Sequence, residues 1–201
     1  LRQGRLDVVP MGFLICGPVG TGKSFIVRCF AAEIGIPVVE VRNFRSMWQG
    51  QTEANLERIL GILDALGPVA VVVDEADAAL GSRSMAGADS GVSERVFASL
   101  AAFMGDTRRR GRTIWFLMTS RPDLVPVDLK RQGRAEEHIA LFPPSTPAER
   151  AMVFASLRGR LGVKVADVDA AALFAESPHS MSAADIESIL VRAARRIATT
   201  G

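Results

Sequence analysis

The chain has 201 residues, of which 48% are hydrophobic and 23% are charged, a composition typical of a globular rather than a disordered protein. Its formal net charge of +2 argues against a general nucleic-acid binder and leaves only a local basic patch open. No apolar run approaches the roughly 18 residues that span a bilayer, and no signal peptide is recognisable, so we expect a cytoplasmic protein without a membrane partner.

Apolar runs of strand length alternate with helical patterns along the chain. The predicted strands are 11–16, 37–41, 69–73, 113–118 and 139–142, and the predicted helices are 23–34, 52–66, 92–104, 147–157, 169–174 and one that begins at Ser182. Strands that alternate with helices predict an α/β fold, with a parallel sheet flanked by helices on both sides. Pro143 and Pro144 indicate a linker, so we predict a core of residues 1–145 and a small all-α lid of residues 146–201.

A glycine-rich segment, Gly17–Ser24, joins the first predicted strand to the first predicted helix. It reads Gly-Pro-Val-Gly-Thr-Gly-Lys-Ser, which is the P-loop pattern. Glycines let backbone N–H groups approach a phosphate, and the helix start adds its unpaired N–H groups. Lys23 would place a cation on the β- and γ-phosphates, and Ser24 would offer a hydroxyl to Mg²⁺. An incidental glycine turn would match in roughly 1% of chains of this length, so we predict that the chain binds a nucleoside triphosphate.

The most apolar strand, Val69–Val73, ends in a cluster of acids. In a parallel α/β sheet ligands bind at the carboxyl ends of strands, where this cluster and the glycine loop both lie. Asp74 would therefore hold Mg²⁺ near Ser24, and Glu75 would act as the general base on the attacking water. The alternative is an acidic turn with no chemical role. For Asp77 we expect a surface position or a helix cap.

The densest basic run is Arg108–Arg112, in which four of five residues are arginine. Charge blocks of this kind are usually solvated loops. Contact with a nucleic acid or an acidic partner is the minority interpretation.

Three segments resemble, in order and spacing, the AAA subgroup of the AAA+ ATPases: Gly17–Ser24, Val71–Glu75 and Arg121–Arg134. The third is the most specific, because it is similar to that subgroup's second region of homology. The start of the last helix, Ser182–Asp185, resembles the opening of the family's lid helix. The resemblance covers roughly residue 8 to the end of the chain. It implies a P-loop NTPase sheet followed by a helical lid, and an ATPase that uses Mg²⁺ and cleaves the β–γ phosphoanhydride bond of ATP.

The resemblance also implies roles for individual residues. ATP or ADP would be bound by Gly17, Pro18, Val19, Gly20, Thr21, Gly22, Lys23, Ser24, Phe25 and Ala183. Ser24 and Asp74 would hold the metal, and the catalytic set would be Lys23, Glu75, Ser120 and Arg134. In that set Ser120 takes the sensor position that orients the water, and Arg134 is the arginine finger that reaches a neighbouring subunit's γ-phosphate. Trp48 matches the aromatic pore loop that grips a threaded polypeptide, unless it packs on a neighbouring subunit.

Three positions depart from the family pattern. Ser120 replaces the usual asparagine, Ala183 replaces a glycine, and Glu137 stands three residues after Arg134, where many members carry a second finger. These departures bear on the rate of hydrolysis rather than on nucleotide binding.

Three functions follow from the sequence. The leading one is an ATPase that assembles into a ring, usually a hexamer, and remodels or threads protein substrates. The alternative is a nucleotide-dependent scaffold or switch with weak hydrolysis. A DNA-handling ATPase that uses Arg108–Arg112 comes third, because the near-neutral charge and the pore-like Trp48 argue against it, and a nucleic-acid partner is therefore unlikely.

Overall fold

The structure is a computed structural model that describes residues 5–41, 52–80, 90–162, 168–177 and 180–200. The chain divides into two compact units. The first takes in residues 1–17 and 23–140, and the second takes in residues 18–22 and 141–201.

The first unit is built on a five-stranded sheet. Its strands are β1 Gly12–Cys16, β2 Val38–Glu40, β3 Val69–Val73, β4 Thr113–Thr119 and β5 Glu137–Ala140, in the order β2-β3-β4-β1-β5. All four neighbouring pairs are parallel. Every residue of β3 and β4 is buried, as expected for central strands that are covered on both faces. Together with its flanking helices, this sheet confirms the predicted fold class.

Four α-helices of the first unit lie in the described residues. They are α1 Lys23–Ile34, α2 Thr52–Ala65, α3 Ala76–Leu80 and α4 Ser90–Met104. The first two agree closely with the sequence prediction, and α4 begins two residues earlier than predicted. The sequence did not predict α3, because its five residues are too short to show a helical repeat.

Three phenylalanines hold the first helix against the sheet. Phe13 of β1 and Phe116 of β4 are register partners, and their rings stack with centroids 5.1 Å apart. Phe30 of α1 meets both rings edge-on, at 6.0 and 5.7 Å. Edge-to-face and offset-stacked pairs are favourable beyond the area that they bury. The contact fixes α1, which carries Lys23 and Ser24 at its start, against β1 and β4.

The last strand is displaced from its predicted position. We expected residues 139–142, which are the most apolar part of this region, but β5 is Glu137–Ala140. The register explains the difference, because β5 pairs only with β1 and Ala140 lies opposite Cys16, where β1 ends. All four residues of β5 are exposed, so hydrophobicity does not mark the strand.

The second unit contains three helices among the described residues. They are α5 Pro147–Leu161, α6 Ala170–Ala175 and α7 Ala183–Thr200. Their shared core consists of Phe154, Leu157, Phe174, Ile186 and Leu190. None of the helices in the described ranges of either unit is long and apolar enough to cross a membrane.

Side chains cap all three of these helices. Thr146 and Glu149 form a reciprocal capping box at α5, and the carboxylate of Asp169 accepts two backbone N–H groups at the start of α6. At α7 the N–H of Asp185 donates to Ser182 Oγ at 3.2 Å, and the N–H of Ser182 donates to the Asp185 carboxylate at 2.8 Å. The predicted helix start at Ser182 is therefore a cap, with Ala183 as the first helical residue.

A buried arginine holds the proline-rich segment that precedes α5. Arg150 is 7% exposed, and its guanidinium donates to the carbonyls of Pro144, Ser145 and Ser177 at 3.4, 3.2 and 3.0 Å. Burial of a cation is costly unless hydrogen bonds satisfy it, and three carbonyl acceptors do so here. The predicted linker is thus tied to the end of α6.

The two buried threonines of β4 should contribute differently to the stability of the fold. Thr113 and Thr119 are each 1% exposed, but no group in the part of the chain that the structure describes hydrogen bonds with Thr113 Oγ1. Thr119 Oγ1 makes two hydrogen bonds. We expect Thr113→Val to raise the free energy of unfolding by about 1 kcal/mol, because it removes an unpaired buried hydroxyl. Thr119→Val should lower the same quantity by about 1–3 kcal/mol. Urea denaturation of the two variants measures both, and equal losses would contradict the prediction.

Candidate nucleotide-binding site

Three neighbouring strands carry the predicted catalytic segments of the first unit. Gly17 follows β1, Ser120 follows β4 and Asp74 follows β3, and these strands are adjacent in the sheet. All three segments therefore leave the same edge, as expected for a parallel sheet. The N–H of Gly17 donates to the carbonyl of Thr119 at 3.1 Å, which joins the start of the glycine loop to the end of β4.

Two oxygen donors meet at this edge. Ser24 Oγ lies 3.4 Å from Asp74 Oδ2, although 50 residues separate them in sequence. The other oxygen, Asp74 Oδ1, accepts the N–H of Glu75 at 2.9 Å, which orients the carboxylate. Two oxygens at neighbouring corners of a Mg²⁺ octahedron lie about 3 Å apart, and Mg²⁺ prefers hard oxygen ligands of this kind. The pair therefore fits the predicted metal.

The predicted phosphate-binding lysine lies at the base of the loop. Lys23 Nζ donates to the carbonyl of Gly17 at 2.8 Å and is partly buried. Phe25, the third residue of α1, is 54% exposed. A compact ammonium group at the first glycine is placed where a P-loop lysine can act as a point charge on a phosphate.

Glu75 has an unusual backbone conformation. Its φ of +50° makes it the one non-glycine residue in the described part of the chain with a positive φ. Its carbonyl accepts the N–H groups of Ala78 and Ala79, both at 2.8 Å, so Glu75 closes the start of α3. Left-handed backbone at a non-glycine residue is uncommon and concentrates at functional sites, where the surrounding structure holds it.

Within the second unit, the tip of the glycine loop packs against the start of α7. Gly20 and Gly22 have φ values of +82° and +89°, which favour glycine. The N–H of Ala184 donates to the carbonyl of Gly20 at 3.3 Å. A Cβ atom on Gly20 would lie 2.7 Å from Ser182 Oγ and 2.8 Å from the Cβ of Ala184. Gly20 is thus required by the helix start beside it as well as by its own backbone.

The structure also describes the other predicted nucleotide contacts of this unit. Thr21 Oγ1 donates to the carbonyl of Pro18 at 2.9 Å, which closes the loop tip. Val19 is 83% exposed, and Ala183 is half-buried.

Trp48, the predicted pore residue, lies outside the described residues, so its role stays a prediction.

The predicted arginine finger lies against its own subunit. The Arg134 side chain is 14% exposed, and its Nη1 donates to the carbonyl of Asp128 at 2.6 Å. Burial and the nearby Arg131 lower the pKa of Arg134, and Asp128 partly offsets them. The Arg131 side chain in the same turn is 60% exposed, 3.5 Å from the carboxylate of Asp128. Sequence reasoning passed over Arg131, although it precedes Arg134 by three residues.

Ser120 is exposed at the end of β4 and is bracketed by Thr119 and Arg121. Asp77 is half-buried and accepts the hydroxyl of Thr119, whereas we expected a surface position or a helix cap. Its place in the Asp-Glu-Ala-Asp cluster was the signal that could have marked it.

The basic run is occupied by internal contacts. Arg108 and Arg109 both pair with Asp106, and Arg109 also contacts Asp64 and the ring of Phe103. Arg110 pairs with Glu136. Arg112 donates to the carbonyl of Asp64. Hydrogen bonds from Arg108 lower the pKa of Asp106 to about 2, and those from Arg110 lower the pKa of Glu136. Arg109 and Arg110, whose side chains are 24% and 25% exposed, are therefore held in ion pairs, whereas Arg108 is 87% exposed beside Asp106.

A parallel sheet with a glycine loop after its first strand, and with Asp74 facing Ser24 across that edge, defines the class of P-loop nucleoside triphosphatases. Residues 13–142 match the sequence model of the ATPase family associated with various cellular activities (AAA). The chain belongs to this family, as its sequence predicted.

Individual relatives extend the likeness over nearly the whole chain. It is 30% identical to Protein SAV of Sulfolobus acidocaldarius over 187 residues, which are 92% of this chain and 23% of that protein. It is also 30% identical to the Cell division cycle protein 48 homolog of Archaeoglobus fulgidus, over 90% of this chain and 24% of that protein. The ATP-dependent zinc metalloprotease FtsH of Mycobacterium bovis is 29% identical over 92% of this chain and 24% of its own length. The chain thus spans about a quarter of the length of these relatives.

Proposed function

We propose that this chain binds ATP with Mg²⁺ and hydrolyses its β–γ bond, as the motor domain of an oligomer that remodels protein substrates. The observation that carries the proposal is the pairing of Ser24 with Asp74 at 3.4 Å, next to Glu75. This is the donor set that Mg²⁺ uses when substrate phosphates complete its coordination. The name of one relative, the ATP-dependent zinc metalloprotease FtsH of Mycobacterium bovis, agrees with the use of ATP.

The proposed roles combine the family resemblance with the position of each residue in the fold. The glycine loop Gly17–Ser24 cradles the phosphates, and Lys23 neutralises their charge. Bound Mg²⁺ would supply charge neutralisation on the phosphate oxygens, held by Ser24 and Asp74. Glu75 takes the proton of the attacking water, and Ser120 orients that water. Residues 146–201 are the proposed lid on the nucleotide.

An arginine from a neighbouring subunit would complete the site, because a fixed cation stabilises the charge that develops on the transferred phosphoryl group. Arg134 is the residue that the sequence nominates. Arg131 is the more exposed cation of the same turn, and its ion pair with Asp128 is itself at the surface. A ring of subunits, usually six in this family, and a substrate pore at Trp48 are parts of the same proposal, as is a cytoplasmic location.

A nucleotide-dependent switch with weak hydrolysis is the second candidate. Two observations favour it: Arg134 is engaged with Asp128 in its own subunit, and Ser120 has a shorter side chain than the usual asparagine. Nucleic acid is a less suitable partner, because the net charge is only +2 and Arg109 and Arg110 are largely covered in ion pairs with Asp106 and Glu136.

ATP turnover measured over a wide range of protein concentrations tests the proposal. We expect turnover per chain to rise steeply with concentration, because each site would need a neighbour. Light scattering of the Glu75→Gln variant with ATP should show a single large assembly, and a Lys23→Ala variant serves as the inactive control. Nucleotide binding without turnover at any concentration would support the switch. Stimulation by DNA with a steep salt dependence would instead support nucleic-acid handling.

A further inference from the structure

Thr119 connects three segments of the proposed site. It is the last residue of β4 and is 1% exposed. Its Oγ1 donates to Asp77 Oδ1 at 2.6 Å and accepts the N–H of Arg121 at 2.8 Å. Its carbonyl accepts the N–H of Gly17 at 3.1 Å. One buried residue therefore uses its hydroxyl as donor and acceptor and its carbonyl as acceptor.

Each of these hydrogen bonds reaches a segment with a different proposed role. Asp77 lies two residues after Glu75 in the acidic cluster, and Gly17 opens the glycine loop. Arg121 directly follows Ser120, so the bond from its N–H to Thr119 spans Ser120. We call Thr119 and its three partners the β4 junction.

The β4 junction holds the backbone on either side of Ser120. Ser120 is exposed and has a short side chain, so its hydroxyl reaches only the few positions that its backbone and one side-chain rotation allow. Thr119, on one side of Ser120, donates its hydroxyl to Asp77. Arg121, on the other side, donates its N–H to Thr119 Oγ1, so the backbone is held on both sides. Catalytic groups must be held within about 0.5 Å of their productive position, and an error of about 1 Å can cost roughly a hundredfold in rate.

Asp77 supplies the fixed end of the β4 junction. It lies in the short helix α3, whose start is closed by the carbonyl of Glu75. A carboxylate accepts a hydroxyl more strongly than a neutral group does, and the short distance of 2.6 Å agrees with a charge-assisted bond. The same five-residue helix thus ties the backbone of Glu75 to that of Ser120.

We propose that Asp77 and Thr119 are positioning residues for ATP hydrolysis, which hold Ser120 and the first N–H of the glycine loop in register with Glu75. The inference rests on the proposed function, because it assigns these residues to the same reaction. Neither residue touches the nucleotide in this scheme. Their effect should therefore appear in kcat and not in the affinity for ATP.

Paired variants test the β4 junction. Thr119→Val keeps the shape of the side chain but removes both hydroxyl bonds, and Asp77→Ala removes the acceptor. We expect each to lower kcat, per molecule that binds nucleotide, by about tenfold or more while the Kd for ATP stays within about threefold. Thr119→Ser and Asp77→Asn keep a hydroxyl and an acceptor, so they should recover most of the lost rate. Thr113→Val, at the other end of β4, is the matched control and should not change kcat.

A readout without ATP separates this inference from the proposed function. In the nucleotide-free protein, hydrogen exchange at the Arg121 amide should be slow in the wild type and at least about tenfold faster in Thr119→Val. A wild type with no turnover but with this exchange pattern would overturn the proposed function and leave the β4 junction in place.

Two results would overturn the inference itself. The first is a Thr119→Val protein with unchanged kcat, or with kcat and ATP affinity lost in parallel and neither restored in Thr119→Ser. The second is an unprotected Arg121 amide in the wild type. If Thr119→Val does not fold, the Asp77→Ala and Asp77→Asn pair decides the matter by the same criteria.

Discussion

Replacement of Glu75 by glutamine is expected to leave ATP bound and uncleaved. The change removes the carboxylate that would accept the proton of the attacking water, while the shape of the side chain stays nearly the same. General-base catalysis contributes about 10²–10⁴-fold, so kcat should fall by that factor. The Kd for ATP should change little, because the proposed phosphate contacts come from Gly17–Ser24. Single-turnover kinetics and equilibrium binding of ATP measure the two quantities separately.

Glu57→Gln is a suitable control for this variant, because Glu57 is an exposed glutamate on α2. It makes the same chemical change on the surface and should leave both quantities unaltered. Turnover that persists in Glu75→Gln would exclude Glu75 as the base. Loss of ATP binding in that variant would instead place Glu75 among the groups that hold the nucleotide.

The second large effect concerns the two arginines after β4. An arginine supplied to a phosphoryl-transfer site is worth about 10³–10⁵ in kcat. We expect both Arg131→Ala and Arg134→Ala to reduce turnover on this scale, without weaker binding of ATP to the monomer. Only Arg134→Ala should also lower the unfolding temperature, because Arg134 alone of the two is 14% exposed and bound to the carbonyl of Asp128.

Mixing experiments show whether these arginines act across subunits. Lys23→Ala chains have a defective phosphate site but intact arginines, and Arg131→Ala chains have the reverse. If the site is shared, a mixture of the two should regain part of the turnover that each lacks alone. A mixture as inactive as its components would place the arginines in their own subunit's site. Unchanged turnover in Arg131→Ala, beside an inactive Arg134→Ala, would leave Arg134 as the single finger.

The parts of the fold that the sequence predicts well are those that residue types determine locally. Gly17–Ser24 needs glycines for its backbone and a helix for its last residues, and the structure has a strand before it and α1 at its end. Val69–Val73 is apolar throughout because both its faces are covered. In both segments the local pattern and the tertiary role require the same residues.

Other features depend on contacts that no local pattern contains. β5 takes its limits from the length of β1 and not from its own polarity, so its prediction was displaced toward Phe142. Asp77 and Thr119 meet across 42 residues of sequence. Arg131 and Arg134 both lie near Asp128, but only Arg134 is folded into the protein surface at 14% exposure. The AAA resemblance supplied the candidate residues, but their exposure and partners required the structure.

The backbone of Glu75 gives this position two opposed requirements. A left-handed conformation costs an ordinary L-residue roughly 1–2 kcal/mol, and glycine avoids this cost. The proposed chemistry, however, requires a carboxylate there. Selection for folding alone would favour glycine at position 75, whereas selection for turnover retains the strained glutamate. A descendant released from its substrate could therefore gain stability by the same substitution that ends hydrolysis, so inactive relatives of this domain need not be less stable than active ones.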